Sequence, residues 1–284
     1  KEFSKKFFMY TRIQSKLSII FYSFGQKHNY ICYTLRKAAA KIAKYAQIIE
    51  RTHCRKTGKK LNAKDAQTMK VIDLTHTITE KIACFFPGTE QPQLITVNNY
   101  DENGSGKHFL KITTHTGTHI DPPAHIYNGK ATLDSLPPEK FIGKALVIDC
   151  RSIKPGVHIT LQHITAYGAN ANAADFFAVQ LGWDKYWGTE TYLGAVSRLN
   201  DEAINFILEG NYKGIGFDVM GIDPINDENL TRIKKLFKNK QIVNIENLKN
   251  LDLCGSDLFW FSCFPLKIAN SDGSPVRAVA WFEE

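Results

Sequence analysis

HTGTHIDPPAH, residues 115–125, sets three histidines and an aspartate into one short stretch, with a glycine between the first two histidines and a proline pair before the third. Its threonines and isoleucine favour an extended chain, and Gly117 and Pro122–Pro123 disfavour a helix. In an extended chain alternate side chains share a face, so His115, His119, Asp121 and His125 fall on one side. At about 3.3 Å per residue a straight strand would hold His115 and His119 roughly 13 Å apart, near the limit for two imidazoles sharing an ion. Gly117 permits a bulge or bend that closes the gap. The prolines then end the strand and leave His125 on a loop.

Two imidazoles and a carboxylate make an incomplete shell, which leaves room for water and substrate and fits a catalytic rather than a structural metal. Nitrogen and oxygen ligands suit Zn²⁺ or Mn²⁺. Such an ion acidifies water and polarises a carbonyl, while His125, not needed as a ligand, is free to shuttle a proton to a leaving group. Metal-dependent hydrolysis is the expected reaction class. An isolated histidine pair four residues apart usually binds nothing; four candidates on one face, with a bend between them, point to metal.

Outward from this stretch, residues 69–284 alternate short β-branched or aromatic runs with turn residues. KVIDLTHTI, HFLKITTHTGTHI, KALVIDC, FFAVQL, KGIGFDV, QIVNIE, LFWFSCF and VRAVAWF read as strands. LNDEAINFILEGN reads as a helix capped by Asn200 or Asp201 and stopped at Gly210, and DENLTRIKKLFKN as a second helix capped by Asp227. Asp218 and Asp223 are expected to fix a loop through side-chain-to-backbone bonds. Trp183, Tyr186 and Trp187 either wall an aromatic pocket or pack in the core. No internal repeat, GxSxG elbow, P-loop or dinucleotide fingerprint is present. The expected fold class is α/β, as a single compact domain over residues 69–284.

Composition supports a folded domain: 43% of the 284 residues are hydrophobic and 23% charged. No apolar run approaches the roughly 18 residues that span a bilayer. Six scattered cysteines without a CxxC pair fit a reducing, cytoplasmic setting. The net charge of +8 is uneven, because residues 1–68 hold 16 Lys/Arg against 3 Asp/Glu while the remainder holds 20 against 25. Residues 1–68 therefore read as a basic, partly helical N-terminal extension, with Leu35, Ala39, Ile42, Ala46 and Ile49 at helical spacing. Three readings stay open for it: a non-native leader, helices packed on the domain or a partner subunit, or a basic patch for nucleic acid or an anionic membrane. No nucleic-acid binding is expected of the rest.

The pattern HxGTHxDxPxH resembles the signature of the cyclase family that includes bacterial kynurenine formamidases and isatin hydrolase. IDLTHTI (72–78), PGT (87–89), LGWDKYWG (181–188), GIGFDVMGIDP (214–224), VNIENL (243–248) and FPLKIANSDGSPVRAVA (264–280) extend the resemblance across residues 69–284. It implies a mixed β-sheet with flanking helices, of swivelling β/β/α type, in a homodimer or larger assembly. It also implies a divalent metal site that hydrolyses amides or lactams. By the same resemblance His115, His119 and Asp121 are metal ligands, and His125 is the acid/base. Glu246 is a carboxylate reaching the metal from a distant strand, and Phe86 stands where formamidases line the substrate pocket with tryptophan. Formamidases carry a further metal-binding histidine whose place falls on Lys234, between Ile233 and Lys235, and no histidine follows His163 here. One ion is expected rather than two.

The expected function is metal-dependent cleavage of a small amide, with an aryl formamide such as N-formylkynurenine as the leading substrate. Opening of a lactam, lactone or cyclic imide is the alternative within the same class. A non-catalytic binding module of the same fold is the alternative outside it. The other histidines, His28, His53, His76, His108, His158 and His163, are expected to be surface or satisfied structural groups.

Overall fold

The computed structural model describes residues 69–80 and 90–283. Contacts divide the chain into two units, Lys1–Gln67 and Thr68–Glu284. Phe86 and the expected helix of the extension lie outside the described residues.

Among the described residues nine strands form one mixed sheet. Its spatial order is β1 (Met69–Asp73), β11 (Val279–Glu283), β9 (Phe259–Ser262), β5 (Ile142–Asp149), β6 (Phe176–Gln180), β7 (Gly214–Phe217), β8 (Val243–Glu246), β4 (His119–Asp121) and β10 (Ser274–Pro275). The strands β5, β6, β7 and β8 run parallel. The flanking pairings are antiparallel. Parallel neighbours need long crossovers. Here these carry α1 (Leu161–Thr165) and α2 (Ala169–Ala173) after β5, α3 (Asp201–Glu209) after β6, and α4 (Thr231–Phe237) after β7.

Near-continuous apolar runs make the parallel strands buried on both faces. Their period of two divides them between two cores. Leu146, Ile148, Phe177, Val179, Ile215 and Phe217 face the helices, packing with Ile204 and Ile207 of α3 and Leu236 and Phe237 of α4. Ala145, Val147, Phe176, Ala178, Val243 and Ile245 face the other way, toward Phe141, Phe259, Phe261 and Ala280. Each isoleucine that α3 buries contributes about 1.5–3 kcal/mol. The helix starts where Asn200 accepts the Ala203 N–H at 3.0 Å and stops at Gly210, so Asn200→Ala would cost about 1 kcal/mol.

Two local expectations change. The start of α4 is held by Asp223, whose carboxylate accepts the N–H groups of Arg232 at 2.7 Å and Ile233 at 2.9 Å. Asp227 instead ties the turn before it, accepting from Asn229 and Thr231. A carboxylate this far upstream is invisible to a reading that looks one turn back. HFLKITTHTGTHI is not one strand either. Residues Lys107–Lys111 form β3, which pairs with β2 (Gln93–Asn98) as a separate hairpin, and the chain leaves strand geometry before β4. Leu94, Ile95, Val97, Phe109 and Leu110 of that hairpin are exposed.

Cys150, Cys254 and Cys263 are buried and free, as expected of small hydrophobes. Among the described residues no helix is long and apolar enough to cross a membrane.

Candidate metal centre

Strand β4 presents His119 and Asp121 two residues apart, hence on one face. Its antiparallel register with β8 sets Glu246 opposite His119 and Asn244 opposite Asp121. All four side chains are buried. His119 Nδ1 lies 2.8 Å from the Gly117 carbonyl, which only accepts, so Nδ1 carries the proton. That leaves the Nε2 lone pair facing Asp121 Oδ1 at 3.5 Å and Glu246 Oε2 at 3.6 Å.

His115 reaches the centre by a turn rather than by strand alternation. Gly117 has φ +66°, a left-handed conformation that glycine adopts without strain. The turn brings the His115 and His119 rings to 5.2 Å between centroids. The Gly117 carbonyl also accepts from Asn247 Nδ2 at 2.8 Å, which pins the bend to the residue after Glu246. His115 Nδ1 lies 2.9 Å from Asp121 Oδ1 and its Nε2 3.4 Å from Asp272 Oδ2. Ligand atoms of His115, His119 and Asp121 all fall within 4.8 Å of one another, and so do those of His115, His125 and Asp272.

Pro122 and Pro123 end β4 and start a 3₁₀ turn, Pro123–His125. The His125 ring stands 4.2 Å from that of His115. It lines a pocket of about 140 Å³ together with Met220, Gly221, Ile222, Ile233 and Glu246.

Asn244 bridges the two carboxylates, donating to Asp121 Oδ2 at 3.1 Å and to Glu246 Oε1 at 2.8 Å. Burial works to raise Asp121, yet the imidazoles of His119 and His115 beside it, the latter through its hydrogen bond, hold it below the usual carboxylate range. Burial, then the Asp121 charge, pushes Glu246 up. Burial pulls His115 down, but its bonds to Asp121 and Asp272 outweigh that and lift it to about 9. His125 is held below its ordinary value, chiefly by burial. Two buried acids side by side need positive charge. With two imidazoles beside them they form a donor set that fits a divalent cation.

The sequence-predicted residues His115, His119, Asp121, His125 and Glu246 thus meet in one place. Lys234 is exposed on α4, while its neighbour Ile233 lines the pocket. Asp218 fixes a loop as expected, accepting from the N–H groups of Leu181, Gly182 and Trp183, whereas the backbone bonds of Asp223 go to the start of α4. Trp183, Tyr186 and Trp187 cluster with Tyr192, Ile78 and Met220. His76 departs from expectation: it is buried, stacks on Trp187 at 4.1 Å, and its Nε2 has no hydrogen-bond partner. Asn244, Asn247 and Asp272 also meet the cluster, without a signal in the sequence that singles them out. VNIENL and NSDGSP stood out in sequence, but nothing local tied them to the histidines.

The "Putative cyclase" family model matches residues 72–224. The kynurenine formamidase of Salinibacter ruber is 28% identical over 213 residues, covering 74% of this chain and 97% of that protein. The kynurenine formamidase of Bacillus cereus is 30% identical over 217 residues, covering 75% and 98%. Isatin hydrolase A from Labrenzia aggregata, solved with benzyl benzoate, superposes with a TM-score of 0.67 at 25% identity, covering 76% and 94%. An isatin hydrolase bound to the product analogue thioisatinate has the same TM-score at 21% identity, covering 76% and 93%, and bears on the fold alone. With a family match spanning more than half its length and relatives covered almost end to end, the chain belongs to the cyclase family of metal-dependent hydrolases.

Proposed function

We propose that the protein hydrolyses a small amide, with an aryl formamide such as N-formylkynurenine as its leading substrate. The carrying observation is the convergence of His115, His119 and Asp121 ligand atoms within 4.8 Å, with the His125 ring beside them. His115, His119 and Asp121 would hold one Zn²⁺ or Mn²⁺, with Glu246 reaching in from β8. Bound there, the ion would supply Lewis-acid polarisation of the carbonyl and acidification of water. Asn244 keeps both carboxylates turned inward. His119 keeps its Nδ1 proton on Gly117, so its Nε2 stays available. To serve as a ligand His115 would have to give up the proton it shares with Asp121, and the positive charge of a bound ion would stand in its place. His125, held neutral by burial, takes a proton from the attacking water and returns it to the departing nitrogen, giving the carboxylic acid and the free amine. Phe86 would line the substrate pocket. A homo-oligomer in the cytoplasm belongs to this reading, and the exposed apolar side chains of β2 and β3 support a second copy as partner.

A specific observation favours a second reading, opening of a lactam, lactone or cyclic imide. Ile233 lines the pocket and Lys234 is exposed where formamidases carry a further histidine. The deciding experiment follows absorbance of N-formylkynurenine and of isatin with metal-reconstituted protein, beside a chelator-stripped sample and His125→Ala. Formamide turnover lost in both controls supports the first reading. Isatin turnover alone supports the second. Neither, with metal bound, sinks both.

A further inference from the structure

Arg198 precedes α3 and is 5% exposed. Its Nη1 donates to the Ser197 carbonyl at 3.2 Å and its Nη2 to the Met220 carbonyl at 3.3 Å. Its buried Nε has no hydrogen-bond partner. No carboxylate among the described residues pairs with it; the nearby Asp223 lies 3.8 Å from Arg232 instead. Glu246 and Asp223 act on it through space without forming an ion pair, and because a guanidinium cannot shed its charge at neutral pH, its unpartnered Nε keeps a donor for a further anion. Burial pulls Arg198 down only to about 10, so it remains a cation.

Arg198 lines a cavity of about 420 Å³ together with Arg232, His158, Val196, Pro224 and Ile225, and no acidic side chain takes part in that lining. Arg232 is anchored by Nε to the Leu199 carbonyl at 3.0 Å, while its Nη1 is 3.8 and 4.0 Å from Asp223 and Asp227, too far for a strong hydrogen bond. The cavity therefore gathers two guanidiniums without a tight carboxylate partner. Pro224 and Ile225 also line the pocket that holds His125 and Glu246, as does Met220, whose carbonyl Arg198 grips. The two spaces therefore adjoin, sharing Pro224 and Ile225.

Resting on the amide-hydrolase reading, we propose that this cavity is a subsite for a carboxylate carried by the substrate away from the scissile amide. The enzyme then selects amides that carry a carboxylate at the far end. Planar guanidinium groups suit a carboxylate, and a neutral group there would leave Arg198 buried without an anion.

The test compares N-formylkynurenine with its side-chain carboxamide, which is neutral at that position, in metal-reconstituted protein. It also compares calorimetric binding of kynurenine and kynurenine carboxamide, which needs no turnover. Wild type is expected to prefer each carboxylate by about tenfold or more, with the difference in KM rather than kcat. Arg198→Gln should collapse the preference, Arg198→Lys keep part of it, and Arg232→Gln lower it. If Arg198→Gln does not fold, the wild-type and Arg232→Gln ratios decide. Equal wild-type handling of acid and carboxamide overturns the proposal, and so does a preference that survives in folded Arg198→Gln. Inorganic phosphate that binds wild type but not folded Arg198→Gln, without competing with kynurenine, would assign the cavity to a free anion and also overturn it. If neither formamide is turned over but kynurenine still outbinds its carboxamide, the subsite stands and the formamidase reading falls.

Discussion

His119 and Glu246 are partners across the antiparallel pair of β4 and β8, with Nε2 and Oε2 3.6 Å apart. Sheet register therefore joins a histidine from the HTGTHIDPPAH stretch to an acid from the far end of the domain. Because one strand carries both His119 and Asp121, loss of the His119 side chain would remove one proposed ligand without moving the other. His119→Ala is expected to lose metal and activity together. His125→Ala is expected to keep its metal and lose about 10²–10⁴ in turnover. Elemental analysis beside a kinetic assay separates them, and full metal occupancy in His119→Ala would refute the ligand assignment.

Asn244 touches no substrate, yet it holds Asp121 and Glu246 side by side. Without its amide the two acids are free to turn apart or share a proton. Asn244→Leu is expected to weaken metal binding by about 10–100-fold, as losses of groups that orient ligands do. Titration against a competing chelator measures this, and unchanged affinity would mean that the backbone alone sets both carboxylates.

Much of this site is legible in the sequence because His115 through His125 are near neighbours, and the glycine and prolines between them dictate where the chain bends. Strands β5 to β8 are legible for a similar reason, since continuous apolar runs admit few other fates. The His115–Asp272 contact spans 157 residues and the Asn244–Asp121 contact 123. No local period encodes either, and only the sheet order brings them together. The Arg198 cavity is hidden in the same way, for an arginine in a loop before a helix reads as surface until its burial is known. Nothing in the sequence around Glu246 but the family resemblance points to it, and its register opposite His119 supplies the physical reason.

In the metal-free protein His115 carries a proton that Asp121 and Asp272 retain up to about pH 9, against an ordinary value of 6.5. A histidine raised on folding stabilises fully below its unfolded value, and that contribution fades as pH rises toward 9. The melting temperature of the metal-free protein is thus expected to fall between pH 6.5 and 9, and Asp121→Asn should flatten the slope. Metal affinity runs the other way: the cation must displace this proton, so binding tightens by about tenfold per pH unit over the same window. Proton release measured in two buffers of different ionisation enthalpy checks it. Zero protons released at pH 7 would show that His115 is not a ligand.

Gly273 lies against the His115 ring, and a Cβ built on it would stand 2.6 Å from His115 Cε1. No rotation of a methyl relieves that overlap, so either the ring or the segment around Asp272 must move. The segment is held, with Ser274 paired to Ile120 in the sheet and Thr114 bonded to Asp272 at 3.0 Å. The ring has one wall less, since the His115 side chain is partly exposed. Gly273→Ala is therefore expected to displace His115, lowering metal affinity and turnover while the domain still unfolds cooperatively. Overpacking of this kind costs about 1–3 kcal/mol. Thermal melts with and without added metal distinguish the outcomes. A loss of stability equal in both states would mean that the backbone moved and the ring stayed, which would remove Gly273 from any part in shaping the site.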